Sequence, residues 1–241
     1  MCLFKKKKLE IKIDMNNIPK HIAFIADGNG RWAKKRGLPR FEGHKVGDAA
    51  LKKVFDRCCE LGVYAVSFYC FSTENFNRPQ AEVDYIFNLF RAHADIGQKL
   101  VERDVKFNLM GDINMCPEDI QVILRKTIDM TKDCKSHVLN FGFAYGSRHE
   151  LVDAVNRIIA DGIKKVDEQT LANYLYTAGI PDPDLIVRAS GEQRLSNFML
   201  FQAAYSEFYF PKTQWPDFDA KIVDECVIAY QQRDRRYGKI K

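Results

Sequence analysis

Residues 21–31 read "HIAFIADGNGR", an unbroken apolar run that ends on a carboxylate, two glycines and a cation. A strand buried on both faces gives such a run. A polar cluster directly after it is what the carboxyl edge of an open α/β sheet presents to ligands. Asp27 would repel an anionic ligand, whereas Arg31 and an open backbone would attract one. A metal ion between Asp27 and a phosphate removes the conflict.

Further runs repeat the strand signature on the way to the C-terminus: "VYAVSFYCF" (63–71), "VKFNLMG" (105–111), "HVLNFGFAY" (137–145) and "DLIVRAS" (184–190), with "EFYF" (207–210) as a candidate sixth. They are rich in β-branched and aromatic residues. Helical spacing fills the intervals. Val46, Ala50, Val54, Cys58 and Leu61 predict a helix over 43–61 stopped by Gly62, which places His44 in its first turn. Pro79 opens a long helix whose apolar face runs from Val83 through Ile86 and Phe90 to Val101. Pro117 opens another, carrying Ile120, Leu124 and Ile128 on one face. Ser147 and Glu150 match the capping box S-x-x-E ahead of a helix bearing Leu151, Val155 and Ile158. A short helix over 168–177 and a closing one over 219–235 complete the pattern. Strand and helix alternating this regularly, with few hairpin signals, predict an α/β fold: a mostly parallel sheet with helices on both faces.

The chain has 241 residues, 46% of them hydrophobic, and no Pro/Ser-rich linker divides it. One domain over 19–241 is expected, preceded by a basic, flexible segment over 1–18. The net charge of +5, from 37 basic and 32 acidic residues, is concentrated at the two ends rather than on one basic face, so nucleic acid is not an expected partner. Seven cysteines without a C-x-x-C pair argue against disulfide frameworks and zinc sites, and for a reducing cytoplasm. Nothing reaches the length of a membrane span, and "MCLFKKKK" lacks the apolar core of a signal peptide. Its lysines fit a solvated tail, and leave room for peripheral contact with an anionic membrane.

Three polar clusters fall at the expected carboxyl edge: Asp27–Arg31, Ser72–Arg78 and Arg188–Ser196. "DGNGR" fits an anion-binding concavity and an ordinary tight turn equally well. Its spacing is neither that of a P-loop nor G-x-G-x-x-G. Arg40 and His44 follow closely and, with Arg31, supply three donors suited to phosphate. In "FSTENFNRP" (71–79), turn chemistry accounts for Asn77 and Pro79 but not for Phe76 amid so many hydrogen-bonding groups. Arg188 and Arg194 could converge on a second anion, or enter an ion-pair network through Glu192. Glu207, in "YSEFYF", is either an inward metal ligand or an exposed strand residue. From the residues alone, the chain reads as an α/β enzyme handling phosphate-bearing substrates, with Mg²⁺.

Taken together, "HIAFIADGNGRWAKKRG", "GHKVG", "FSTENFNRP", "DLIVRASGEQRLSNF" and "WPDF" resemble the cis-prenyltransferases, the Z-type isoprenyl diphosphate synthases. The resemblance runs in order from about His21 to Gly238. It implies a homodimer, a six-stranded sheet and a hydrophobic tunnel beside the active site. It also implies addition of isopentenyl diphosphate to an allylic starter such as farnesyl diphosphate. The product would be a medium-chain polyprenyl diphosphate of about the undecaprenyl class, delivered to the membrane as a lipid-carrier precursor for cell-wall glycans. Carried over by resemblance, Asp27 works with Mg²⁺, and Glu207 is a further metal ligand. Gly28, Asn29, Gly30, Arg31, Trp32, Arg40, His44 and Arg78 fall to the allylic diphosphate. Arg188, Arg194, Leu195 and Ser196 fall to isopentenyl diphosphate. Asn75 matches the position assigned to proton removal, with Ser72, Thr73, Glu74 and Phe76 around it. Arg236 and Gly238 match an R-x-G element that reaches a partner's site. Ala26 stands where methionine is more usual, and Phe76 where many relatives have tryptophan; both substitutions stay apolar. Two rivals remain: a non-catalytic partner subunit, from which the aspartate-centred motif would be missing, and a different phosphate-handling α/β enzyme such as a phosphatase.

Overall fold

The computed structural model describes residues 12–235. Six strands form one parallel sheet: β1 (His21–Ile25), β2 (Ala65–Ser72), β3 (Val105–Met110), β4 (His137–Tyr145), β5 (Leu185–Arg188) and β6 (Glu207–Tyr209). Their order across the sheet is β3-β4-β2-β1-β5-β6. Among the described residues, eight α-helices cover it: α1 (Asn29–Lys35), α2 (Arg40–Glu60), α3 (Gln80–Arg91), α4 (Ile96–Val101), α5 (Glu118–Thr131), α6 (Ser147–Ala160), α7 (Glu168–Ala172) and α8 (Ala220–Gln231). The central strands β1 and β5 are buried at every position, whereas β6 at the edge is half-buried throughout.

The topology places the site. From β1 the chain moves to β2 on one side, and it later returns to lay β5 on the other. Ile25 pairs in register with Tyr69 and with Arg188, so the loops after β1, β2 and β5 leave the sheet side by side. Such a reversal of strand order opens a crevice at the carboxyl ends. One face of the sheet packs Phe24, Phe68, Phe71 and Val187 against the helices and against Trp215 and Phe218. The other face buries Tyr69, Tyr145, Phe198 and Met199. A polar chain threads the sheet itself. His21 Nε2 meets Ser67 Oγ at 2.7 Å, Asn140 Nδ2 donates to Ser67 Oγ at 2.8 Å, and Asn108 Nδ2 donates to Asn140 Oδ1 at 2.6 Å. Complete pairing makes these buried polar groups tolerable, and it fixes the register of four strands.

Four expectations are corrected. α1 begins at Asn29, inside the stretch read as a loop or turn. α2 begins at Arg40 after Pro39, so His44 sits in its second turn rather than its first. The long helix expected over 79–101 is two helices, α3 and α4, broken at 92–95. Gly97 in α4 lies so close to Met130 of α5 that a Cβ would sit 3.1 Å from its sulfur, so α4 packs against α5. The S-x-x-E capping box does not form. Gly146 holds the cap position, Ser147 Oγ accepts from Leu200 N at 3.0 Å, and Glu150 turns inward to accept from Tyr145 Oη at 2.5 Å and Tyr176 N at 2.9 Å. Within the segment expected as 1–18, Asp14 N donates to Gln231 Oε1 at 3.0 Å, and Gln231 Nε2 donates to the carbonyls of Asp14 and Asn17 at 2.8 and 2.9 Å. The lysine run lies outside the described residues.

Candidate active site

A cleft of about 540 Å³ opens where β1, β2 and β5 end. Asp27 is its centre. Arg31, one turn along α1, donates to Asp27 Oδ1 at 2.9 Å, and Arg188, at the end of β5, donates to Oδ2 from two nitrogens at 3.0 and 3.3 Å. Arg188 is almost fully buried, and its third nitrogen donates to Arg194 O at 2.6 Å and Ser196 Oγ at 2.8 Å. One guanidinium therefore ties the aspartate loop to the 194–196 loop. Glu192 completes the network by accepting from Arg31 and, at 2.5 Å, from Arg194. Those two arginines hold the Glu192 carboxyl below the usual range.

Close packing of the Ser190 and Gln214 side chains on the Gly28 backbone shapes this region. Gly28 has φ +102°, and a Cβ there would fall 2.1 Å from Ser190 Oγ, which donates to the Asp27 carbonyl at 3.0 Å. Ser190, Ser196 and Asn197 all adopt positive φ. Strained non-glycine backbone of this kind clusters at ligand-binding loops.

A second set of cations gathers on Glu82 of α3. Arg78 donates to its Oε1 at 3.0 Å, His44 Nε2 lies 3.2 Å from the same oxygen, and Arg40 Nε lies 3.6 Å from Oε2. Burial acts to raise the Glu82 carboxyl, but Arg78, His44 and Arg40 outweigh it and hold it low. Burial lowers His44, and the charges of Arg78 and Arg40 add to that effect, so its imidazole is biased towards neutral. Sequence reasoning missed Glu82. Its signal was a carboxylate four residues beyond Arg78, one turn into the helix after Pro79.

In the turn after β2, Asn75 Oδ1 accepts from Ser72 N at 3.2 Å, and the Ser72 side chain reciprocates to the Asn75 backbone. Thr73 and Asn197 each donate to Glu74 at 3.1 Å. Phe76 packs on Phe71 with ring centroids 4.9 Å apart, which explains an aromatic among polar neighbours.

Gly28, Asn29, Gly30, Arg31, Arg40, His44, Ser72, Glu74, Asn75, Arg78, Arg188 and Ser196 all line the cleft. Trp32 instead turns into the core, where its Nε1 donates to Asp217 at 2.6 Å. Thr73, Phe76, Arg194 and Leu195 border the cleft without lining it. Glu207 is not brought to it. It pairs with Leu185 at the start of β5, three residues short of the carboxyl edge, and Arg233 lies 3.9 Å from it. Arg236 and Gly238 lie outside the described residues. Cys70 lies on the wall of the cleft.

A second cavity of about 380 Å³ continues from the first, and Ala26, Asn29, His44 and Cys70 line both. Its walls come from α2, α3, α4 and β4, and include Leu51, Phe55, Ile86, Phe90, Phe141 and Phe143. The apolar faces of α2 and α3 and Cys70 form this wall, and Phe68 lies behind it in the core. An arginine-lined mouth thus leads into an apolar pocket.

A family model described as "Putative undecaprenyl diphosphate synthase" matches residues 25–238. The chain belongs to this prenyltransferase family. An isoprenyl transferase of Fusobacterium nucleatum is 48% identical over 93% of this chain and 98% of its own length. One from Oceanobacillus iheyensis is 42% identical over 97% and 95%. Among solved structures, lavandulyl diphosphate synthase from Lavandula x intermedia, in complex with dimethylallyl diphosphate, superposes with a TM-score of 0.88 at 33% identity, covering 93% of this chain and all of that one. A probable undecaprenyl diphosphate synthase from Campylobacter jejuni gives 0.78 at 29% identity. This transferase is therefore a chain-elongating cis-prenyltransferase, as its motifs implied. The all-parallel six-stranded sheet is the expected one. Among the described residues, no helix is long and apolar enough to cross a membrane.

Proposed function

We propose that this enzyme adds isopentenyl diphosphate units in cis to an allylic diphosphate, farnesyl diphosphate being the starter, and uses Mg²⁺. The observation that carries the reading is Asp27 clasped by Arg31 and Arg188 at the mouth of a cleft that opens into an apolar cavity. The three N–H bonds on Asp27 leave a carboxylate lone pair free. Mg²⁺ commonly takes one or two protein carboxylates and fills its shell with water and substrate phosphates, so a single aspartate beside an arginine-lined cleft suits it. Asp27 would hold the ion, which supplies neutralisation of the charge that builds on the leaving diphosphate.

Arg31, Arg40, His44 and Arg78, with the first turn of α1, bind and orient the allylic diphosphate, whose departing charge the guanidiniums stabilise. Arg188, Arg194 and Ser196 hold the isopentenyl diphosphate. Fixing both substrates lowers the entropic barrier to joining them. The allylic C–O bond breaks, a C–C bond forms to the isopentenyl double bond, and a proton leaves to set the new cis double bond. Asn75 Oδ1 is already engaged by Ser72 N, so we assign Asn75 to positioning and the proton to the released diphosphate.

The hydrocarbon enters the apolar cavity and grows to a medium-chain product of about the undecaprenyl class, which is passed to a membrane as a carrier-lipid precursor. The absence of an obvious insertion between α4 and β3 supports that length. A homodimer is part of the reading. The exposed stripe Val152, Val155 and Ile159 on α6 is the face we assign to it, while Tyr205 adds further exposed apolar surface. The test is incubation with farnesyl diphosphate, labelled isopentenyl diphosphate and Mg²⁺, with and without detergent. Labelled polyprenyl diphosphate is expected; no elongation in either condition refutes the proposal.

A further inference from the structure

Three loops at the carboxyl edge of the sheet meet on one side chain. Asn197, in the loop after β5, lines the cleft beside Ser196. Its Nδ2 donates to Glu74 Oε1 at 3.1 Å, in the turn after β2. Its Oδ1 accepts from Arg148 N at 2.9 Å and its carbonyl from Ser147 N at 2.8 Å. Asn197 therefore satisfies two amides in the first turn of α6, the helix after β4, where no side chain of the helix's own cap does so. Gly146, at that cap position, leaves the room: a Cβ there would lie 2.7 Å from Asn197 Nδ2 and 2.7 Å from Thr73 Oγ1. β4 and β5 are not neighbours, since β2 and β1 lie between them, so this contact straps the β5 loop across the intervening strand ends.

These contacts dictate the residue type. Asn197 has φ +64°, in the left-handed region that asparagine enters more readily than most residues. Its side chain must donate to a carboxylate on one side and accept from an amide on the other, which a carboxamide does and a carboxylate cannot. Glu74 is the stronger of the two partners because it is charged. Burial acts to raise its carboxyl, but hydrogen bonds from its own backbone, Asn197, Ser72 and Thr73 outweigh that and keep it low. The neighbours of the bridge belong to different parts of the reaction. On one side, Ser196 Oγ accepts from Arg188 at 2.8 Å, and the Ser196 carbonyl accepts from Tyr69 Oη at 3.3 Å. On the other, Glu74 opens the turn that carries Asn75 and leads to Arg78.

We propose that Asn197 is a positioning residue: its bridge to Glu74 holds the loop carrying Arg194 and Ser196 in register with the Glu74–Arg78 turn, and so pre-forms the isopentenyl diphosphate subsite. The inference rests on the prenyl-elongation reading above. Asn197 touches neither reacting carbon; it acts through Ser196 and Glu74. Breaking the bridge leaves the loop to be ordered by the incoming diphosphate, and that ordering weakens binding.

The experiment exchanges donor and acceptor across the bridge in the full chain. Asn197→Asp keeps the acceptor for Arg148 N but sets two carboxylates face to face. Adding Glu74→Gln restores a hydrogen bond in the opposite sense, from the new amide to the new carboxylate. Steady-state kinetics with isopentenyl diphosphate, farnesyl diphosphate and Mg²⁺, each substrate varied in turn, should show KM for isopentenyl diphosphate at least about tenfold higher in Asn197→Asp. KM for farnesyl diphosphate should change less, and the double variant should recover to within about threefold of the parent. A merely structural role would lower the amount of active enzyme, and so kcat, without moving one KM selectively. If Asn197→Asp does not fold, Asn197→Gly, which suits the left-handed backbone and removes the side chain, should raise the same KM. An unchanged KM for isopentenyl diphosphate in a folded Asn197 variant, or a double variant no better than Asn197→Asp, overturns the positioning role and leaves the elongation reading intact. No product from the unmodified chain overturns both.

Discussion

Replacing Gly28 with alanine tests how the aspartate loop is held. At φ +102° an L-residue sits in left-handed territory, which costs about 1–2 kcal/mol. The added Cβ would lie 2.1 Å from Ser190 Oγ, so that hydroxyl must swing away and give up its bond to the Asp27 carbonyl, a further loss of about 1 kcal/mol. Gly28→Ala should therefore destabilise the protein by about 2–3 kcal/mol, read as a lowered urea midpoint at unchanged slope. Ser190→Ala should cost about 1 kcal/mol on its own, because only the hydrogen bond is lost. The double variant should be no worse than Gly28→Ala, since the same bond cannot be lost twice. Turnover should fall in Gly28→Ala as the Asp27 backbone shifts. Additive losses in the double variant, or a Gly28→Ala protein within about 0.5 kcal/mol of the parent, would refute the close-approach argument.

Glu82→Gln should raise KM for the allylic diphosphate about tenfold, with kcat less affected, because three cations lose the carboxylate that aligns them; steady-state kinetics with each substrate varied in turn checks this. Burial lowers the fully buried His21 from 6.5 to about 4, so between those values the unfolded chain binds a proton that the folded chain refuses. Stability should thus be intact above pH 6.5 and decline by about 3 kcal/mol as pH falls towards 4; urea midpoints should show that slope, and His21→Gln should flatten it. Val155→Asp on the exposed α6 stripe should convert a dimer to monomer by sedimentation, while an unchanged mass would remove that face from the assignment.

Much of this architecture was legible because parallel strands buried on both faces leave continuous apolar runs. "HVLNFGFAY" matches β4 from His137 to Tyr145, and the runs of β1 and β5 pointed to the polar edge beyond them. The capping-box misreading has a tertiary cause: distant partners decided what local pattern could not. Ser147 and Glu150 have the spacing of a cap, yet Leu200, Tyr145 and Tyr176 claim them from across the fold. α4 is a separate helix packed on α5, with Gly97 against Met130. At the site, Asp27, Arg31 and Arg188 were recognisable as residues, but their convergence spans 161 positions and depends on β1 lying beside β5. Glu82 carried almost no local signal, because its partners Arg40 and His44 lie on a different helix.

The central claim is that Asp27 serves the departing diphosphate, and the rate of labelled isopentenyl diphosphate incorporation by Asp27→Ala tests it most directly. With farnesyl diphosphate and Mg²⁺ present, and circular dichroism confirming an intact fold, incorporation should fall at least about 100-fold below the unmodified enzyme. A folded Asp27→Ala protein that elongates farnesyl diphosphate at a near-normal rate would contradict the account.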